Sequence, residues 1–204
     1  FDRFSATEDE GNQIRNAFGI GDGEFLIGTF GNFFPTKGHR FLLDAVSVLI
    51  ERYPNIRLFF VGGGGEQAGL AEYVAKAGLG DRVIFAGFRN DVAACMKACD
   101  LVVHPSLSEA FCQVLIETMS VGTPLISTDV GGASEVIEHG VTGTLVPAAD
   151  SDALMQAVET AINDPARKAA MAEAGQKFVR GRFTLERMID EQYELYLKWL
   201  GRGN

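Results

Sequence analysis

Six short apolar runs alternate with stretches of helical period, and this alternation limits what the chain can fold into more than any other feature. The runs are Phe25 to Phe30, Arg57 to Val61, Arg82 to Ala86, Leu101 to His104, Pro124 to Thr128 and Gly143 to Val146. They are apolar nearly throughout rather than at every second position, as strands buried on both faces are. Between them Gly38 to Arg52, Glu66 to Ala77, Asp91 to Ala98, Phe111 to Val121 and Gly132 to His139 read as helices. Strand, helix and strand repeated in this way imply right-handed crossovers and a parallel sheet. The expected class is α/β, a doubly wound parallel sheet with no internal repeat or linker, forming one domain over 1–204.

After the last run the pattern is helical to the end. Asp150 and Asp164 suit helix N-caps, and Pro165 follows the second at the first helical position. Leu185, Met188, Ile189, Tyr193, Tyr196, Leu197 and Leu200 then form an apolar stripe on a terminal helix, 184–204. In a lone domain that stripe covers the sheet; in a longer protein part of it docks elsewhere.

A formal charge of -9 argues against a nucleic-acid partner and against adhesion to anionic lipid, so an anionic ligand must be held by local groups. No apolar run approaches the ~18 residues that span a bilayer. Position 1 is not Met, and Phe1-Asp2-Arg3-Phe4 looks neither like a signal peptide nor like a natural start, so the chain is expected to begin part-way through a longer protein. The three cysteines, Cys95, Cys99 and Cys112, are odd in number and lack metal-ligand spacing. Cys95 and Cys99 would lie one helical turn apart, and His104 is a poor fourth ligand. The reading is a reduced, cytoplasmic compartment, with no metal site.

Glycine, 24 of 204 residues, is concentrated in loops at strand ends, where ligands bind in sheets of this kind. Gly31 to Gly38 carries Lys37, a point charge able to reach a phosphate at a strand-to-helix junction. Val61 to Glu66 follows a buried strand; Gly63, Gly65 and Ala68 formally satisfy a dinucleotide fingerprint, but the next strand ends in Ala86-Gly87-Phe88 without the acid that would grip a ribose. Val103 to Glu117 is the most informative segment. Glu109 lies in a loop and Glu117 in the second turn of the following helix, with seven residues between them. The amides of Phe111, Cys112 and Gln113 are first-turn donors, and the two carboxylates bracket that helix start by roughly 10 Å. An extended ligand with an anionic middle and hydroxyl-bearing ends fits this layout. Glu117, among Val114, Leu115, Ile116 and Met119, is expected to be buried and in need of a partner. Cys112 at the helix start is either a thiol of lowered pKa or a small residue packed under the loop. Thr128 to Glu135 adds a fourth strand-end loop with Gly131 and Gly132.

In this order these segments resemble the C-terminal domain of retaining family 4 glycosyltransferases. The matching pieces are Gly31 to Gly38, Val61 to Gly65, Asp81 to Phe88, Pro105-Ser106 through Glu109 to Glu117, Asp129 to Gly132 with Glu135 to Ile137, and Gly140 to Pro147. The resemblance covers nearly the whole chain. It implies the Rossmann-like, C-terminal half of a GT-B fold, which binds a nucleotide-diphosphate sugar and transfers the sugar, a hexosyl group, with retention and without a metal or other cofactor. By the same resemblance Lys37 contacts the donor diphosphate, Glu117 the ribose hydroxyls and Glu109 the transferred sugar. The amides of Phe111, Cys112 and Gln113 support the distal phosphate, Phe88 and Arg89 receive the base, and Gly31, Gly63 and Gly64 line the cleft. The acceptor site is implied to lie in an N-terminal domain of the same protein, which as a full-length chain is cytoplasmic or peripheral at a membrane, so that this chain alone is inactive.

Two positions depart from the family pattern. Asn32 stands where an arginine precedes the lysine, and Ala110 and Cys112 stand for glycines after the first glutamate. Loss of a cation from the leaving diphosphate can cost several kcal/mol unless replaced, and Arg40 is the candidate substitute. A binding or regulatory module without catalysis, and an NAD-dependent oxidoreductase domain, are the competing readings.

Overall fold

Strand β1 (Phe25–Phe30) lies at the middle of a six-stranded parallel sheet of order β3-β2-β1-β4-β5-β6, in a computed structural model that describes residues 4–201. The other strands are β2 (Ile56–Val61), β3 (Val83–Gly87), β4 (Leu101–His104), β5 (Leu125–Thr128) and β6 (Thr144–Val146). All six runs expected from the sequence are strands, with ends that shift by one residue. Arg82 falls in a 3-10 turn, Gly80–Arg82, rather than in β3. Phe1 to Arg3 and residues 202–204 lie outside the described residues.

Alternate side chains of each strand enter opposite cores. Leu26, Phe30, Phe59, Val61 and Val102 face one layer, where they meet α1 (Glu8–Ala17), α4 (Val92–Lys97), α5 (Gln113–Val121), α6 (Ala133–Val136) and α8 (Pro165–Arg182). Ile27, Ile56, Leu58, Phe60, Leu101 and Val103 face the other, against α2 (His39–Leu49), α3 (Gln67–Lys76) and α7 (Ser151–Asn163). Burial on both faces is the reason the strands read as continuous apolar runs.

Helix α1 is absent from the sequence-based expectation. Its buried residues are only Gly11 and Ile14, too few for a visible apolar period. Its start is nevertheless written as Thr7-x-x-Glu10, and Thr7 and Glu10 form a reciprocal capping box. Asp150 and Asp164 cap α7 and α8 as expected, accepting from the amides of Ala153 and Arg167. Helix α6 stops at Val136, short of the expected His139, because Ile137 turns into extended backbone.

For the terminal helix α9 (Leu185–Trp199) the sequence left two alternatives, a stripe that covers the sheet or one that does not. None of its residues is buried, and Leu185, Met188, Ile189, Tyr193, Tyr196 and Trp199 are all exposed. The stripe therefore does not cover the sheet, whose face on that side is already occupied by α5 and α8. No helix among the described residues is long and apolar enough to cross a membrane.

Strand order reverses between β1 and β4, which opens a crevice beyond their carboxyl ends. One wall is set by Gly62, with φ +142°, where an added Cβ would lie 1.9 Å from the Gly31 carbonyl oxygen. Gly62→Ala is expected to destabilise the domain by about 2 kcal/mol or more. Urea unfolding checks this, and wild-type stability in the variant would show that the two loops can part freely.

Candidate functional site

Four loops meet at the carboxyl edge of the sheet and bind one another through their backbones. In the loop after β1, the Phe33 amide donates to the Gly63 carbonyl (2.9 Å) and its own carbonyl accepts from the Glu66 amide (3.0 Å), so Phe33 is clamped by the loop after β2. The same loop then forms a 3-10 turn, Pro35–Lys37, whose Thr36 carbonyl accepts from the Leu107 amide at 2.7 Å. The loop after β4 in turn rests on the loop after β5: Gly132 N–H donates to the Ala110 carbonyl (3.1 Å). Gly131, with φ +55°, lies so close that a Cβ would be 2.1 Å from the Glu109 carbonyl oxygen. Each loop thus positions the next.

Lys37 and Glu109 are brought together by this arrangement, with the ammonium Nζ 2.5 Å from Glu109 Oε1. The same oxygen accepts from Ser106 Oγ (2.7 Å) and lies 2.9 Å from His104 Nε2. His104 ends β4 and is buried; its Nε2 is also 2.9 Å from Ser106 Oγ and 3.0 Å from Cys112 Sγ. Burial pushes the Glu109 carboxyl up, but hydrogen bonds from His104, Lys37 and Ser106 outweigh it and hold the group down at about 2. Glu109 is a fixed anion and Lys37 its counter-ion. Burial, then the Glu109 charge, pushes the Cys112 thiol up to about 12. A thiol held so high is not activated, which favours the packing reading. Behind the site His39 packs against Phe33 and Phe60, and burial followed by the His104 and Lys37 charges brings it down to about 4.

The remaining expected residues lie around this cluster. Helix α5 begins at Gln113 with Cys112 as N-cap, so Phe111 precedes the helix and is not a first-turn donor as expected; the first-turn amides start at Gln113. Phe111, Gln113 and Glu117 line an open cleft facing Phe183, Leu185 and Met188, a cleft that Lys37 and Glu109 do not line. Glu117 is half-buried rather than buried. Phe88, 77% exposed, leans over Gly63: a Cβ there would meet the Phe88 ring at 2.8 Å. Arg89 is paired with Asp91 through two hydrogen bonds and lies over the Phe18 ring. Gly31 and Gly64 stand on the two walls, at φ +137° and +149°. Asn32 and Ala110 are exposed. Arg40, the expected substitute cation, instead lies over the Tyr73 ring of α3, 5.9 Å from its centroid, outside the cluster. β3 ends in Ala86-Gly87 and is followed by Phe88, so the strand end itself carries no acid of the kind the dinucleotide reading would require. His104 and Ser106 were not among the expected site residues. Their position at a strand's carboxyl end was the available signal.

A family model described as "Glycosyl transferases group 1" matches residues 11–178. N-acetyl-alpha-D-glucosaminyl L-malate synthase of Bacillus anthracis is 29% identical over 184 residues, which are 90% of this chain and 48% of the relative. A crystal structure of Anabaena Alr3699/HepE in complex with UDP superimposes with a TM-score of 0.88 at 32% identity, covering 97% of this chain and 54% of that one. The C-terminal domain of a glycosyl transferase group 1 family protein (LpcC) from Francisella tularensis superimposes at 0.81, with 26% identity, over 90% of this chain and 97% of that one. The chain spans about half the length of the curated relatives it matches.

Two titrations sit behind the site's stability. Unfolded His39 binds its proton near 6.5 and folded His39 only near 4, so the folded state loses stability as pH falls between these values. Glu109 adds a second loss from about 4.5 down to about 2. Each window is worth on the order of 3 kcal/mol. Chemical denaturation across pH 7 to 3 is expected to lose the upper part of this slope in His39→Asn and the lower part in Glu109→Gln; unchanged slopes would refute the assignment.

Proposed function

Because the chain belongs to the glycosyl transferases group 1 family, we propose that it is the donor-binding half of a retaining family 4 glycosyltransferase, taking a nucleotide-diphosphate sugar. The observation that carries the reading is the Lys37–Glu109 pair at the mouth of α5, where the crevice between β1 and β4 meets a helix N-terminus. UDP is the first nucleotide to test, since Alr3699/HepE was crystallised with UDP and with UDP-glucose.

In this reading the donor diphosphate exchanges with Glu109 for the Lys37 ammonium. Glu109 remains held by His104 and Ser106 and faces the sugar as a carboxylate. Negative charge developing on the leaving diphosphate is met by Lys37 and by the first-turn amides of α5, groups already in place before reaction. Their charge and dipoles support a transfer that proceeds without a metal. Glu117 receives the ribose hydroxyls, and the Phe88–Arg89 segment the base. Attack on the face from which the diphosphate departs gives retention, with Glu109 orienting the sugar rather than forming a covalent bond to it.

The acceptor and part of the catalytic machinery belong to an N-terminal domain, against which the apolar face of α9 packs. Three free, buried cysteines support a reduced, cytoplasmic setting. The exposed Asn32 and the distant Arg40 favour one alternative, a module that binds a nucleotide without transferring sugar.

Calorimetry with UDP separates these readings. Lys37→Ala and Glu117→Ala are each expected to weaken binding at least tenfold, the scale of a lost hydrogen bond to a charged group. Unchanged affinity in a folded Glu117→Ala variant would remove the ribose assignment. The 204-residue chain is expected to release no sugar to any acceptor by itself; sustained turnover would overturn the division of labour.

A further inference from the structure

We propose that His104 Nε2, Cys112 Sγ and Glu109 Oε1 form a binding site for a thiophilic divalent cation, Zn2+. These three atoms lie within 4.8 Å of one another. All come from one short segment whose ends are anchored, His104 as the last residue of β4 and Cys112 as the N-cap of α5. Glu109, between them, is tied down by Ser106 and by the backbone contact with Gly131. The sequence pattern His-x4-Glu-x2-Cys resembles no familiar metal spacing, because the ligands are gathered by a strand end, a loop and a helix start rather than by one helix.

Three groups of this corner converge on one ring nitrogen. Ser106 Oγ, Glu109 Oε1 and Cys112 Sγ all stand within 3.0 Å of a single imidazole nitrogen. That nitrogen offers one hydrogen or one lone pair. A cation satisfies all of the ligands together. Metal-ligand bonds of ~2.0–2.3 Å place tetrahedral ligand atoms about 3.3–3.7 Å apart; Glu109 Oε1 and Cys112 Sγ stand 2.9 and 3.0 Å from His104 Nε2, so the ligands need to part by only a few tenths of an ångström to admit the ion.

The donor set selects the metal. Thiolate and imidazole favour Zn2+ over Mg2+ or Ca2+, which prefer oxygen. As the S–Zn bond forms, the Cys112 S–H bond breaks and its proton leaves to solvent. The imidazole, whose Nε2–H faces Glu109 in the metal-free site, shifts to the tautomer with its proton on Nδ1 and so gives its Nε2 lone pair. Glu109 exchanges the Lys37 ammonium for the metal. One thiolate, one carboxylate and one neutral imidazole balance the two charges of the cation, and a water completes the fourth position. Resting on the donor reading, one consequence follows: a cation on Glu109 takes the oxygen that Lys37 holds and competes with the sugar for this carboxylate, so the cation is an inhibitor and not a participant.

The test is titration of the reduced, tag-free chain with Co2+, a coloured stand-in for Zn2+. One equivalent is expected to produce a thiolate-to-cobalt band in the near ultraviolet together with tetrahedral visible bands, all abolished by added Zn2+. Cys112→Ser should remove the near-ultraviolet band, Glu109→Gln should weaken binding at least tenfold, and Cys95→Ser should change nothing. Zinc calorimetry in buffers of different ionisation enthalpy should report one proton released. Absence of the band, its survival in Cys112→Ser, or its loss in Cys95→Ser would overturn the proposal. UDP calorimetry on the metal-free chain tests the donor reading separately: a band without UDP binding keeps this site and removes that reading, and the converse result does the opposite.

Discussion

A carboxylate that accepts from an ammonium, a hydroxyl and an imidazole at once keeps that arrangement only if its own backbone cannot swing away. Glu109 meets the condition because Gly131 presses on its carbonyl while Thr36 holds Leu107 two residues earlier. The same contacts run on to Phe33 and the glycines after β2, so the ends of four strands share one set of backbone hydrogen bonds. Side chains of this site are therefore located by main-chain geometry, which tolerates far less variation than side-chain packing does.

Charge in the chain is organised at two scales. Overall it carries -9, a field that repels anions at long range. Locally, one lysine and one helix start face a crevice, and the lysine is neutralised by Glu109 until something displaces it. An anion approaching the loops would gain little at long range; any attraction would begin at contact distance, where burial lowers the dielectric screening.

The sheet was legible because burying a strand on both faces writes an unbroken apolar word, and six such words appear. Glu109, Lys37 and Gly131 were legible as chemistry placed at strand ends. What escaped the reading was whatever depended on distance across the fold. Helix α1 buries too little to show a period, although its capping box is spelled out at Thr7 and Glu10. His104 looked like the last residue of a strand, and only the folded chain shows its imbalanced surroundings of Ser106, Glu109 and Cys112. Arg40, close to Lys37 in sequence, is turned by the helical rotation of α2 onto Tyr73.

Helix α9 buries none of its residues, so its own local terms must sustain it: the Thr184 cap and the Arg187–Glu191 pair. A cap contributes about 1 kcal/mol and such a pair about 0.3–0.5 kcal/mol, while isolated helices shorter than ~12–15 residues are marginal in water. For these 15 residues, any association would thus be thermodynamically linked to secondary structure. A surface that shielded Leu185, Met188, Tyr193 and Trp199 from water would also supply free energy that keeps the helix wound, and an affinity measured there would include the cost of winding it.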